Sequence, residues 1–147
     1  MEWVDVRDVH IRIRIPEDTQ ALFHLYFLER TALFSGLNLN RVLAHDFDKD
    51  THGEKIFVAI VHEQIVGFIS VWEADPFVHH LYVMAHYQGK GIGKRLHNTA
   101  ISVLKRPVTL KCLKRNAKAI VFYSALGWVL EGDGMDDFGE YVLFTLK

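Results

Sequence analysis

At 147 residues, half of them hydrophobic, the chain can bury the core of one domain spanning 1–147 and is too apolar for disorder. A formal net charge of −1 gives nucleic acid and anionic membrane no general attraction, and a lone cysteine, Cys112, excludes an internal disulfide framework. The N-terminal segment with Glu2, Asp5, Arg7 and Asp8 lacks the basic and apolar regions of a signal peptide, and no apolar run is long enough to span a bilayer. The expectation is a cytoplasmic protein with no nucleic-acid and no membrane partner.

Between residues 9 and 15, Val9, Ile11, Ile13 and Ile15 alternate with His10, Arg12 and Arg14, the period of a half-buried strand. Pro16 suits a first helical turn, and Glu17 and Asp18 favour its positive end. Leu22, Leu25, Tyr26 and Leu33 carry an apolar helical stripe towards Gly36. The pattern dissolves over 38–54, where Asp46, Asp48 and Asp50 cluster; this reads as a solvated loop or short helix, or as a wall attracting a cationic acceptor. Apolar runs at 56–61 and 65–72 read as strands joined by a hairpin connection at His62-Glu63-Gln64, and Gly67 marks a bulge or a close backbone approach. A third strand of this block, 78–84, enters a glycine-rich turn.

A helix is expected over 93–106 with Leu96, Ala100, Val103 and Leu104 on one face, then a strand at 108–113. Asn116 is a good N-cap for a helix running to about Leu126, and Gly127 fits its left-handed end. Strands at 128–130 and 141–146 close the chain around a Gly132-Asp133-Gly134 turn. The order β-α-β-β-β-α-β-α-β-β predicts an α+β fold with a mixed, mainly antiparallel sheet flanked by helices.

The most informative stretch is Gln88-Gly89-Lys90-Gly91-Ile92-Gly93-Lys94, where a strand breaks into a turn that opens a helix. Glycines at alternate positions let backbone approach a ligand closely, and N–H groups at a helix's positive end suit a diphosphate. A dinucleotide fingerprint would need a third glycine where Lys94 stands, and an NTPase phosphate loop would need Ser or Thr where Arg95 stands.

The string resembles the Q/R-x-x-G-x-G/A signature of the GNAT superfamily of acetyl-CoA-dependent N-acetyltransferases, with Gln88, Gly91 and Gly93 in its fixed places. Asn116, Ala119, Phe122, Tyr123, Gly127 and Trp128 are similar, in register, to that family's second pattern, N-x-x-A-x-x-F-Y-x-x-x-G-F/W. The element order matches over nearly the whole chain, given a second early helix within 38–54. The resemblance implies an acetyl-CoA cleft between splayed strands 4 and 5. In it, residues 88–94 would bind the pyrophosphate, mainly through backbone N–H groups, and Lys90, Lys94 and Arg95 would either add charge there or stand as solvated cations on the turn and helix. Leu81, Tyr82 and Val83 would pair their main chain with the pantetheine arm, and Asn116 would hydrogen-bond it as well as cap its helix.

For transfer to a primary amine, the resemblance implies Tyr123 as the acid that protonates the departing sulfur. An alkyl ammonium with a pKa near ~10 needs a base at neutral pH. His79 is the candidate; period-two alternation places it on the face of Leu81 and Val83, with His80 pointing the other way and His86 at the surface or opposite layer. No metal is implied, and Cys112 reads as a buried core thiol. Asp75, Asp136, Asp137 and Glu140 read as solvated loop carboxylates or as groups favouring a cationic acceptor, whereas Phe34, Trp72 and Phe77 would favour an apolar amine. The acceptor is a small-molecule or peptide amine, and the protein a monomer or a homodimer pairing through its last strands. Two alternatives stay open: a non-catalytic acetyl-CoA-sensing domain of the same fold, and a transferase using a longer acyl-CoA.

Overall fold

The structure is a computed structural model that describes residues 8–33 and 44–147. Phe34 and Gly36 lie outside these, as do the side chains of Leu33, Ala44, His45 and Asp46. The strands are β1 (His10–Ile13), β2 (Lys55–Val61), β3 (Gln64–Trp72), β4 (Phe77–Val83), β5 (Val108–Leu113), β6 (Val129–Asp136) and β7 (Gly139–Leu146). The helices are α1 (Thr19–Leu33), α2 (Ala44–Asp50), α3 (Ile92–Val103) and α4 (Ala117–Ala125). The strands form one sheet in the order β1-β2-β3-β4-β5-β7-β6, antiparallel throughout except for the β4–β5 pair. The mixed, mainly antiparallel α+β architecture is the expected one, and α2 supplies the second early helix. Among the described residues no helix is long and apolar enough to cross a membrane.

Strand alternation sorts the core into two layers. Phe57, Ala59 and Val61 of β2 face Ile92, Leu96 and Ala100 of α3, whereas Ile56 and Val58 face Leu22, Leu25 and Tyr26 of α1 and Phe47 of α2. Asp18, 5% exposed before α1, takes both Arg12 guanidinium nitrogens at 2.7 and 3.0 Å and the Ile15 N–H at 2.9 Å. The Arg12 hydrogen bonds, against some desolvation, hold its carboxyl below the usual range.

Turn chemistry departs from expectation at the C-terminal hairpin. The Gly132-Asp133-Gly134 stretch lies inside β6: Glu131 is an extra residue in the ladder between Leu130↔Phe144 and Gly132↔Leu143, and Gly134 sits under the Tyr141 ring opposite it. These glycines accommodate a bulge and an aromatic neighbour. The reversal falls at Asp137 and Phe138, where Asp136 Oδ1 accepts the Phe138 N–H at 2.8 Å.

Gly67 combines both features anticipated for it. The ladder steps from Ala59↔Gly67 to Ile60↔Ile65, leaving Val66 as the extra residue. A Cβ on Gly67 would lie 2.9 Å from the Tyr82 carbonyl oxygen and 3.2 Å from Val83 Cγ2. Removing a glycine from a strand ordinarily gains ~0.4–1 kcal/mol, but crowding a backbone oxygen costs about 1–3 kcal/mol and decides the sign. Gly67→Ala is therefore expected to lower the urea midpoint at unchanged m-value.

His97 of α3 is 3% exposed and accepts the Trp128 indole N–H on Nε2 at 2.9 Å. Its Nδ1 must then carry the proton, which it donates to Asn98 Oδ1 at 2.9 Å. Burial chiefly, with Arg106 adding to it, lowers the His97 pKa below 6.5 despite the Asn98 bond. A depressed histidine pKa means the unfolded chain binds the proton first. The stabilisation from neutral His97 is thus complete above about 6.5 and fades as pH falls through the lowered folded value. His97→Phe, which strands a buried indole N–H, is expected to cost about 1–3 kcal/mol at pH 8. In urea titrations that deficit should shrink as pH falls below about 6.5; a pH-independent deficit would contradict it.

Candidate functional site

The parallel strands β4 and β5 pair only at Phe77↔Thr109 and Val78↔Leu110. Beyond these rungs they part. Leu81, Tyr82 and Val83 on one side and Asn116, Ala119, Phe122 and Tyr123 on the other line a cleft of about 820 Å³. Its end is formed by the glycine turn, reached from β4 through a 3-10 turn at Ala85–Tyr87. Gly89 at φ 77° and Gly91 at φ 86° occupy the left-handed region, which a side chain would strain. Gly91 is the N-cap of α3, so the N–H groups of Ile92, Gly93 and Lys94 have no acceptor within the helix.

The expected anchor residues divide by what their side chains do. Gly89, Gly91, Gly93 and Lys94 line the cleft; Lys90 does not, and the Ile92 side chain lies in the core, leaving its N–H as the relevant group. Gln88 also lines the cleft and donates its side-chain amide to the Val83 carbonyl at 2.7 Å, tying the turn to the end of β4. Arg95 reaches elsewhere, donating to the Val9 carbonyl at 2.7 Å. Asn116 caps α4 by accepting the Ala119 N–H on Oδ1 at 3.3 Å, which leaves its amide nitrogen out of the cap.

Tyr123 is 7% exposed and packs its ring against Phe122, Trp128 and Phe144. Burial, followed by the neighbouring Cys112 and Glu29, pushes its phenol far above the ordinary range, so it stays protonated at neutral pH. Tyr123 also borders a second, adjoining cavity of about 330 Å³, and Glu29, Leu81, Asn116 and Ala119 belong to both walls.

The histidines meet this second cavity in an arrangement that simple alternation misses. Ser70 lies opposite His80 and Val71 opposite Val78, so His79 is an extra residue in β4. The bulge keeps Val78, Leu81 and Val83 in the α3 layer while turning both imidazoles to a common side, with ring centroids 4.1 Å apart. His79 is accordingly not on the face of Leu81 and Val83. Its Nδ1 meets Glu54 at 2.8 and 3.0 Å. Desolvation pulls the His79 pKa down, but Glu54, aided by Asp50 and Glu29, outweighs it and the net shift is upward. His80 is 6% exposed against Tyr26 and Phe68, with Nδ1 2.9 Å from Glu29 Oε1.

Glu29 is a site residue that sequence reasoning passed over, as it did Glu54 beside His79. Its signal was a carboxylate at helical spacing after Leu22, Leu25 and Tyr26, on the stripe that α1 buries. It is 6% exposed, and one of its carboxylate oxygens, Oε2, has no partner. Of the expected acceptor-side residues, Asp136 and Phe77 line the second cavity, joined by Phe138 and Tyr141; Asp75, Asp137, Glu140 and Trp72 line neither cavity. Cys112 borders it as a buried thiol whose pKa burial raises to about 11.

Comparison with known proteins supports one family. Residues 19–128 match the model of the acetyltransferase (GNAT) family. No curated protein sequence matches the chain. Among solved structures, an N-acetyltransferase from Staphylococcus aureus Mu50 superposes with TM-score 0.77 at 15% identity, covering 93% of this chain and all of its own. The apo form of YjaB from Escherichia coli gives 0.75 at 20% identity over 93% and 96% of the two chains. Arabidopsis thaliana Naa50, in complex with the bisubstrate analogue CoA-Ac-MVNAL, gives 0.72 at 17% identity over 95% and 99%. With the family model spanning most of its length, the chain belongs to the GNAT acetyltransferase family.

Proposed function

We propose that this protein transfers an acetyl group from acetyl-CoA directly to a primary amine, with the coenzyme in the β4–β5 cleft and the amine in the adjoining cavity. The observation that carries the reading is Tyr123, whose side chain belongs to the wall between the two cavities and is held protonated by burial. The larger cavity is within the range of small-molecule sites. Its glycine end supplies N–H groups of a helix terminus for the pyrophosphate, with Lys94 beside them. The parted edge of β4 at Leu81–Val83 suits the amides of an extended pantetheine arm, as an added strand would, and the free amide nitrogen of Asn116 suits the same arm.

In this reading the amine nitrogen attacks the thioester carbonyl, a C–N bond forms and the C–S bond breaks. Tyr123 gives its proton to the departing sulfur. The proton lost by the amine passes to His79, whose Nδ1–H is turned to Glu54 so that Nε2 carries the lone pair. The cavity wall carries the carboxylates of Glu29 and Asp136 and the cations of Arg30 and Lys111, and Phe77 and Phe138 favour an apolar part of the acceptor. Cys112 holds almost no thiolate at neutral pH, which favours direct transfer over an acetyl-thiol relay.

Tyr123→Phe removes the acid and leaves the ring packing. It is expected to lower kcat by roughly a hundredfold or more with little change in acetyl-CoA affinity; unchanged turnover removes Tyr123 from the chemistry. Gly91→Ala forces a side chain into a left-handed conformation. It is expected to weaken coenzyme A binding about 5- to 30-fold in calorimetric titration, the equivalent of ~1–2 kcal/mol. If the native protein gives no binding heat with coenzyme A, the reading fails at its first step.

A further inference from the structure

We infer that Asp50, His79 and His80 form a binding site for a divalent transition metal of the zinc class, whose occupancy takes the His79 Nε2 lone pair and so excludes His79 from acting as the base while the metal is bound. One donor atom from each lies within 4.8 Å of the others. The β4 bulge is what makes this possible, because adjacent residues of a regular strand face opposite ways. Each imidazole is held on Nδ1 by its own carboxylate, His79 by Glu54 and His80 by Glu29. A carboxylate accepts the Nδ1 proton, and so leaves Nε2 with the lone pair that a metal takes. Carboxylate–imidazole–metal chains are the usual outer support of bound zinc.

A second observation points to a ligand at the same place. His80 Nε2 is buried and has no hydrogen-bond partner, on a residue 94% buried by its 6% exposure. Among the described residues, the other buried side-chain atoms in this condition are Glu29 Oε2 and Ser70 Oγ. Glu29 holds the opposite ring nitrogen of His80, and Ser70 lies across the ladder from it. Unsatisfied buried polar atoms cost free energy singly, and here they gather around one imidazole.

The donors are two imidazoles and a carboxylate, a set that suits zinc, cobalt or nickel and not the oxygen-seeking magnesium or calcium. Zinc at about 2.0–2.1 Å from each donor needs donor atoms roughly 3.4 Å apart, so the cluster must draw in. Asp50 and His79, whose side chains are 39% and 33% exposed, can move onto the fixed, buried His80. Asp50 Oδ2 already takes the Tyr26 hydroxyl at 2.8 Å and Arg30 at 3.1 Å, which leaves Oδ1 for the metal. Glu29 and Glu54 each hold an imidazole of the cluster, and Arg30 is paired with Asp50.

The test is titration of the tag-free full chain with Co²⁺, followed by visible d–d absorption and calorimetry, then displacement by Zn²⁺. One equivalent is expected to bind, with Mg²⁺ giving no competing heat. His79→Ala, at the surface, and His80→Gln should each weaken Co²⁺ binding more than about tenfold, and Glu54→Gln by about tenfold through loss of the outer support. His62→Ala, in the exposed β2–β3 turn, should leave binding unchanged. Absence of binding overturns the site, as does equal affinity in His79→Ala, an equal loss in His62→Ala, or Mg²⁺ binding as tightly as Zn²⁺. Should His80→Gln fail to fold, His79→Ala decides alone. All these readouts are independent of acetyl-CoA and of turnover.

Discussion

Two rungs of parallel ladder, Phe77↔Thr109 and Val78↔Leu110, hold the two halves of the sheet together, and their brevity governs the rest of the molecule. Past them each strand carries an inner edge with no strand to pair with. Backbone polar groups in a partly buried edge must find partners. The chain satisfies some of this itself, as when Gln88 reaches back to the Val83 carbonyl. The remainder is what makes an amide-bearing ligand a natural occupant. The antiparallel ladders on either side, β1 to β4 and β5 to β6, anchor the edges firmly enough for the gap to stay open.

The gap has two electrostatic ends. At one, the start of α3 gathers N–H groups and a positive dipole around left-handed glycines, which favours anionic phosphate. At the other, Glu54 and Glu29 hold two histidines with Asp50 beside them, while Asp136, Arg30 and Lys111 share the cavity wall. Tyr123 lies between them, in the dry part of the molecule, and burial keeps its proton in place. An unpartnered carboxylate beside it would be expensive if the Glu29 charge were not shared with His80.

Long periodic elements and glycine spacing were legible in the sequence because burial on one face writes them into it. The strand at 56–61, the helix expected over 93–106 and found at Ile92–Val103, and the cap at Asn116 all follow from local rules. Three things escaped those rules. Gly132 and Gly134 carry a turn's composition, yet the ladder absorbs them with a bulge and a tyrosine ring, a tertiary choice no local reading could see. Alternation assigned His79 to the wrong face because a bulge is set by the neighbouring strand's register. Glu29 was visible as a carboxylate on a hydrophobic stripe, but its meaning depended on His80, 51 residues away.

The extra residue in β4 has an evolutionary side. A single insertion or deletion in a central strand is ordinarily ruinous, since every later side chain changes face. Here the ladder already tolerates an unpaired residue, so indels at this spot would add or remove one wall group while the flanking register survives. Chain length at this one place, and not only side-chain identity, therefore sets which groups reach the cavity wall.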